Sequence, residues 1–437
     1  MLEKFTRHIE TEFNDFYDKR LLLAVSGGID SVVLCHLCKS ANLNFAIAHC
    51  NFHLRKEDSN KDQLFVEQLA NSLGVSVFVN EFETEKYAND KSISIQIAAR
   101  ELRYGWFEEL LNKERYDYLL TAHHLDDSIE TFLINFSRGT GLEGLLGIPK
   151  VNGNIIRPLL PFTRAEILEY AEQNEIDWRE DYTNKQTKYL RNKFRINVIP
   201  ILKEMNPNFA ESFEDTVSYL NESYQLSEDA TKWAYDKVVT KKDDEIYFSI
   251  EEIKKLSSPK AYLYRWLCNY GFTAWNDILD LLDANSGKVI YSSNFVLLKD
   301  RSNLILKEKI KTVEDTEQYY IENKQELTQP IKIKVEPYDT NVLTTDSSTI
   351  LIDGDIVKFP LTIRKYKSGD SFIPFGMKGT KKVSKFFKDE KFNQFQKDAT
   401  WLLCSQDEIV WIIGHRLDDR FKVRNTTNNI IKITTTV

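Results

Sequence analysis

The sequence predicts an α/β protein in which a parallel-sheet domain is followed by a helix-rich domain and a small mixed α/β or β C-terminal domain. Three observations lead there. At 437 residues and 51.1 kDa the chain exceeds what one hydrophobic core usually serves, so two or three domains are expected. From Leu21 to about Ala122, short apolar runs alternate with helical stretches, the pattern of a parallel sheet covered on both faces. From about Leu351 the chain changes to short strands with turn residues between them.

The elements follow in order. Leu2, Phe5, Ile9, Phe13 and Phe16 stand at helical spacing. Glu3, Glu10 and Glu12 among them exclude a secretory h-region and an acid-poor transit peptide, so a cytoplasmic protein is expected. Residues 21–25, 43–48, 75–79 and 118–122 are the expected strands, with residues 62–73 and 95–111 among the helices between them. Thr163 is placed to cap a helix over residues 164–174, and a second helix over 189–198 is expected to stop at Pro200. Pro207 ends the first domain, residues 1–207, and a helix-rich domain rich in Trp and Tyr covers 208–310. Residues 311–345 read as a linker, since 311–330 carry five acids against two lysines with little apolar periodicity. The last domain, 346–437, carries expected strands at 361–366, 400–404 and 409–413.

Composition narrows the function classes. Apolar residues at 42% and charged residues at 28% are ordinary for a globular protein. No run of about 18 apolar residues occurs, which argues against a membrane-spanning helix. Cys35, Cys38, Cys50, Cys268 and Cys404 are too few and too irregular for a disulfide framework. A net charge of −8 argues against indiscriminate coating of nucleic acid. Locally the balance reverses: residues 358–391 hold ten Lys/Arg against three Asp/Glu.

In a parallel sheet, ligands collect beyond the carboxyl ends of the strands, so chemistry is sought there. Directly after the first strand comes Ser26-Gly27-Gly28-Ile29-Asp30-Ser31, opening a helix. Two glycines let backbone N–H groups approach an anion, and a helix N-terminus adds about half a positive charge. The segment is read as a phosphate cradle; it lacks the Gly-Lys-Ser/Thr ending of a Walker loop. Asp30, an acid beside phosphate, suits a magnesium anchor. His49-Cys50-Asn51-Phe52-His53-Leu54-Arg55 leaves the second strand, and Thr121-Ala122-His123-His124-Leu125-Asp126-Asp127 leaves the fourth, with Glu130 and Thr131 following at helical spacing. Arg100 and Arg103 share one helix face, where they would neutralise phosphate, and Arg191 and Arg195 lie one helical turn apart. Cys35 and Cys38, at i and i+3 behind the cradle with no second Cys-x-x-Cys, read as core packing. In the last domain Lys378, Lys381, Lys382, Lys385 and Lys388 cluster beside Gly376 and Gly379, with Phe386 and Phe387 as anchors, a pattern suited to phosphate.

The Ser-Gly-Gly-x-Asp-Ser loop resembles the PP-loop of the N-type ATP pyrophosphatases, which split ATP between its α- and β-phosphates. With the segments 49–55, 99–104, 121–127, 138–141, 157–160, 181–184 and 191–195 in this order, the first two hundred residues resemble the tRNA(Ile)-lysidine synthetases. The resemblance implies an ATP-dependent ligase that joins free L-lysine to the wobble cytidine of an isoleucine tRNA with a CAU anticodon, using ATP and Mg2+, with no membrane partner. It implies phosphate contacts from Ser26, Gly27, Gly28, Ile29, Asp30, Ser31, Arg100 and Arg103, metal held by Asp30 and Asp127, and chemistry around Asp30, His123, His124, Asp127 and Arg195. Contacts to tRNA would come from Arg191, Lys378, Lys381, Lys382, Lys385 and Lys388. Two alternatives remain: a tRNA thiolase of the same superfamily, which would need a reactive Cys35, Cys38 or Cys50, and a non-catalytic tRNA-binding protein with a relic nucleotide pocket.

Overall fold

The computed structural model describes residues 1–55, 57–179, 190–309, 318–339 and 346–436. It divides into two compact units, Met1–Glu228 and Asp229–Val437.

The first unit opens with helix α1 (Leu2–Glu12), which buries Phe5 and Ile9, and a 3-10 turn that stacks Phe16 on Phe13 at 4.9 Å. Strands β1 (Leu21–Ala24), β2 (Phe45–Asn51), β3 (Val77–Glu81) and β4 (Tyr118–Leu120) pair in parallel in the order β3-β2-β1-β4. A short hairpin, β5 (Val151–Asn152) and β6 (Ile155–Ile156), extends the sheet beyond β4. Helices α2 (Ile29–Ser40), α3 (Glu57–Leu73), α4 (Thr84–Asp90), α5 (Ile95–Glu114), α6 (Leu125–Arg138) and α7 (Arg164–Gln173) fill the crossovers. Apolar clusters pack against the sheet: Leu21, Leu23, Val33 and Cys35 belong to one, and Leu22, Ala46, Phe107 and Leu119 to another. This double coverage explains why the strands read as unbroken apolar runs rather than alternating ones. Because β1 sits between β2 and β4, its crossovers diverge, leaving a crevice beyond the carboxyl ends of β1 and β4.

Thr163 caps α7 as expected, accepting from the Glu166 N–H at 3.2 Å while Glu166 accepts from the Thr163 N–H at 2.7 Å. Pro200 does not end the next helix. Helix α8 (Leu190–Lys193) widens into a π-turn over Phe194–Val198 and continues as α9 (Ile199–Met205), with Pro200 in its first turn. Proline is tolerated there because its missing N–H is not required in a first helical turn. Helix α10 (Phe209–Val238) follows Pro207, and its Phe213 packs with Leu125, Ile129 and Ile199.

The second unit contains more strand than the helix-rich reading provided. Besides helices α11 (Ile250–Lys255), α12 (Pro259–Leu267) and α13 (Trp275–Asp280), the segment up to residue 308 forms a five-stranded antiparallel sheet. Its hairpin strands Phe295–Asp300 and Asn303–Glu308 bury Leu297, Leu304 and Leu306 against Trp266 and Leu267. Strands lie within the expected linker, residues 311–345. Tyr319–Ile321, Glu326–Leu327 and Lys332–Pro337 are strands, and Ile321, Ile333 and Val335 are buried in the C-terminal core. Lys332, Lys334 and Glu336 point outward along the last of these, so charge on one face hid a strand whose other face is apolar. Leu361–Lys365, Trp401–Ser405 and Glu408–Ile412 pair antiparallel close to the expected positions.

Candidate active site

Chain direction places the cradle. Val25 leaves β1 with its N–H on the Ala48 carbonyl, and the backbone turns at Gly27, whose φ of +91° favours glycine. Ser31 Oγ, in the first turn of α2, donates to the Gly28 carbonyl at 2.9 Å and accepts from the Ser26 N–H at 3.2 Å. The Ile29 side chain packs into the core, so only its backbone is available to a ligand. The Gly27 carbonyl accepts from the Arg179 N–H, and the Arg179 guanidinium is ion-paired with Asp62. His49, from the end of β2, is buried and donates to the Val25 carbonyl at 2.8 Å, supporting the loop from beneath.

A cleft of about 460 Å³ opens between the ends of β1 and β4. Its walls include Ser26, Gly28, Asp30, Ser31, Cys50, Phe52, Arg103, Tyr104, His123, Asp127 and Arg191. Arg100 does not line it: this residue is one helical turn from Arg103, exposed, with its guanidinium 4.9 Å from the Tyr104 ring centre. Residues 181–184 lie outside the described residues.

One wall is a charge cluster. His124 is buried, with Nε2 at 3.5 Å from Asp127 and 3.7 Å from Asp30, and Nδ1 without a hydrogen-bond partner. Asp30 is also ion-paired with Arg164, at the start of α7. The Arg164 N–H in turn donates to Asp126, which accepts from Lys203 Nζ at 2.6 Å. Glu130 is fully buried and takes Arg191 Nε at 2.6 Å and Arg195 Nε at 2.5 Å. Both arginines reach on to Asp127, at 3.2 and 3.4 Å. Arg191, expected against RNA, lines the cleft, and Arg195 reaches the same buried carboxylate from beside it in sequence. Burial opposes ionisation of Asp127, but His124, Arg191 and the His124 N–H outweigh it and hold the carboxyl below its usual range. Arg195 is pushed the other way: burial disfavours its charge, and Glu130 more than restores it.

His123 shares a hydrogen bond between Nδ1 and Thr121 Oγ1 at 2.9 Å. Burial lowers its pKa to about 4, with Asp127 opposing and Arg157 and Arg191 assisting, so the imidazole is neutral at neutral pH. All five cysteines are free thiols. Cys35 and Cys38 are sealed in the core and burial holds both thiols far above their usual range. Burial pushes Cys50 up to about 12, with Arg103 only partly offsetting it. None of the three is a ready thiolate.

Asp30 and Asp127 converge on one histidine nitrogen, and among the described residues no three His, Cys, Asp or Glu side chains stand ready to hold a metal. The two carboxylates, Asp30 and Asp127, suit an ion that takes one or two such ligands and completes its shell with phosphate oxygens and water.

In the C-terminal region Lys378, Lys382, Lys385 and Lys388 are exposed. Lys381 differs: it is paired with Asp389 at 2.8 Å and lies 5.6 Å from the Phe386 ring centre. Phe386 and Phe387 are buried anchors, as expected. Sequence reasoning missed Arg164, Arg179 and the clamp on Glu130. Their partners are 134, 117 and about 60 positions away, and no local pattern carries such a pairing.

A glycine-bearing strand–loop–helix cradle at the switch point of a parallel sheet is a nucleotide-binding arrangement, and the family model described as PP-loop domain matches residues 1–202. Models described as TilS substrate binding domain and TilS substrate C-terminal domain match residues 241–310 and 361–433. The tRNA(Ile)-lysidine synthase of Bacteroides thetaiotaomicron is 38% identical over 433 residues, 98% of each chain. That of Parabacteroides distasonis is 39% identical over 423 residues, 95% of each. The chain belongs to the tRNA(Ile)-lysidine synthase family. Among solved structures, the U34-tRNA thiolase NcsA from Methanococcus maripaludis aligns with 51% of this chain and 80% of its own, at 16% identity and a TM-score of 0.43. No helix among the described residues is long and apolar enough to cross a membrane.

Proposed function

We propose that this protein joins L-lysine to C2 of the wobble cytidine of an isoleucine tRNA with a CAU anticodon, forming lysidine at the expense of ATP. The observation that carries the reading is a phosphate cradle and a buried acid–arginine–histidine cluster facing one cleft. In this reading residues 1–207 catalyse, while 208–310 and 346–437 contact the tRNA, the latter through its exposed lysines.

The cytosine 2-oxo oxygen is a poor leaving group, so it first attacks the α-phosphorus of ATP; the α–β bridging bond breaks and pyrophosphate departs. The backbone of Ser26 to Ser31 and the α2 N-terminus accept that charge. Asp30 and Asp127 would hold magnesium, which supplies further charge neutralisation on the departing pyrophosphate. The lysine ε-amine then attacks C2, forming the C–N bond as the C2–O bond breaks and AMP leaves. Free lysine has a pKa of roughly 10.4, so its ammonium must shed a proton before attack. Neutral His123, oriented by Thr121, accepts a hydrogen bond at this step, and Arg195 steadies the adenylate phosphate. His124 holds Asp30 and Asp127 in register.

The alternative thiolase reading requires a reactive cysteine, and the shielded thiols of Cys35, Cys38 and Cys50 disfavour it. The decisive experiment incubates the protein with ATP, isotope-labelled lysine and unmodified transcript, then measures nucleoside masses. A labelled cytidine–lysine adduct is expected. An unmodified cytidine, with ATP cleaved, refutes the proposal, and a sulfur-bearing nucleoside formed when a sulfur donor is added selects the thiolase.

A further inference from the structure

Helix α6 opens with Asp126, Asp127 and Glu130, and the segment from α8 to α9 meets all of them with cations. Arg191 and Arg195 take Asp127 and Glu130, and Lys203, on α9, takes Asp126. Asp127 and Arg191 line the cleft, whereas Asp126 and Lys203 stand outside it. The outer pair nevertheless leads inward.

Asp126 joins α6, α7 and α9. Its Oδ1 accepts from Lys203 Nζ at 2.6 Å, and its Oδ2 accepts from the N–H of Arg164, the first residue of α7, at 2.7 Å. Beside it the Leu125 N–H donates to the Phe162 carbonyl at 2.9 Å, so the starts of α6 and α7 are bonded in both directions. Arg164 carries its guanidinium on to Asp30, in the first turn of α2. A continuous chain thus runs from Lys203 through Asp126 and Arg164 to the acid beside the phosphate cradle.

The Asp126 carboxylate also has a competing neighbour. His124 Nδ1 is buried, has no hydrogen-bond partner among the described residues, and lies 3.9 Å from Asp126 Oδ2. Burial opposes the charge of Asp126, and the Arg164 N–H and Lys203 outweigh it. Without the lysine, a carboxylate that is only 13% exposed loses half of its compensation, and the imidazole is the nearest unfilled group. Turning to His124 would release the Arg164 N–H and disturb the ring whose Nε2 faces Asp30 and Asp127.

We infer that Lys203 is a positioning residue: from outside the cleft, through Asp126 and Arg164, it keeps Asp30 placed for the metal. The inference rests on the proposed metal-holding role of Asp30 and adds what fixes that side chain.

The test is the affinity of the full-length protein for ATP, measured by titration calorimetry with and without Mg2+. The ratio of the two affinities reads the placement of Asp30 without any turnover. Lys203→Met should lower that ratio by about threefold to fivefold, the scale of a partly exposed ion pair, and Lys203→Arg should restore it. In an Arg164→Gln background, where the chain is already cut, Lys203→Met should change nothing further. Asp126→Asn, which keeps the shape and loses the charge, should copy Lys203→Met and serves if that variant folds poorly. An unchanged ratio in a folded variant of either residue overturns the inference, and so does an equal fall in both backgrounds, since the lysine then acts by another route. Wild-type protein whose ATP affinity ignores Mg2+ refutes the metal role of Asp30 and the inference with it, whereas a wild type that responds while the variants match it refutes the chain alone.

Discussion

Replacing Glu130 with alanine removes the anion that Arg191 and Arg195 share. Its carboxylate is fully buried and takes N–H groups from Arg191 Nε at 2.6 Å, Arg195 Nε at 2.5 Å and Arg195 NH2 at 3.2 Å. Breaking a buried pair by deleting one partner costs about 3–5 kcal/mol when the orphaned charge stays buried. Here the arginine side chains are 44% and 40% exposed, so water screens part of that charge and about 2–3 kcal/mol is expected. For a cooperative unit of this size, about 2–4 °C per kcal/mol gives a fall of roughly 4–12 °C in the transition of the first unit. Asp127 then faces both arginines alone, so pyrophosphate release should also slow. Calorimetry of the full-length protein reads the first effect, and a pyrophosphate assay with tRNA and lysine reads the second. Glu130→Gln, which preserves shape and one acceptor oxygen, should lose less stability. Transitions within about a degree of wild type for both variants, with undiminished turnover, would refute the clamp as an organising contact.

Asp30→Ala should abolish ATP–pyrophosphate exchange and leave tRNA affinity near normal; retained exchange would remove Asp30 from metal holding. Replacing Lys381, Lys382 and Lys385 together should weaken tRNA binding and flatten its salt dependence, with Lys382 and Lys385 accounting for most of the change because Lys381 is already paired. An unaltered slope takes this region out of the RNA footprint. His123 has a folded pKa of about 4 against an ordinary value of 6.5. Its neutral burial therefore contributes stability that is complete above pH 6.5 and lost as pH falls through 4. Between pH 6.5 and 5 the wild type should lose about 2 kcal/mol that His123→Asn does not, measured by denaturant unfolding.

The local features of this protein were legible in its sequence because they depend on near neighbours. Apolar runs at residues 21–25 and 43–48 mark buried parallel strands, Thr163 and Glu166 cap a helix, and Gly27 marks a turn at positive φ. The loop from Ser26 to Ser31 needs only six consecutive residues and a strand before them, so its place between β1 and α2 was readable. Even the failures were local in origin: a charged outward face concealed the strand Lys332–Pro337, and Pro200 signalled a stop that a π-turn circumvents. Tertiary structure alone decided which charges meet. Arg164 on Asp30, Arg179 on Asp62 and the two arginines on Glu130 depend on how the crossovers close and on what is buried there. Whether an arginine meets a carboxylate, like Arg195, or only a backbone carbonyl, like Arg157, follows from burial and distance, and neither exists until the chain has folded.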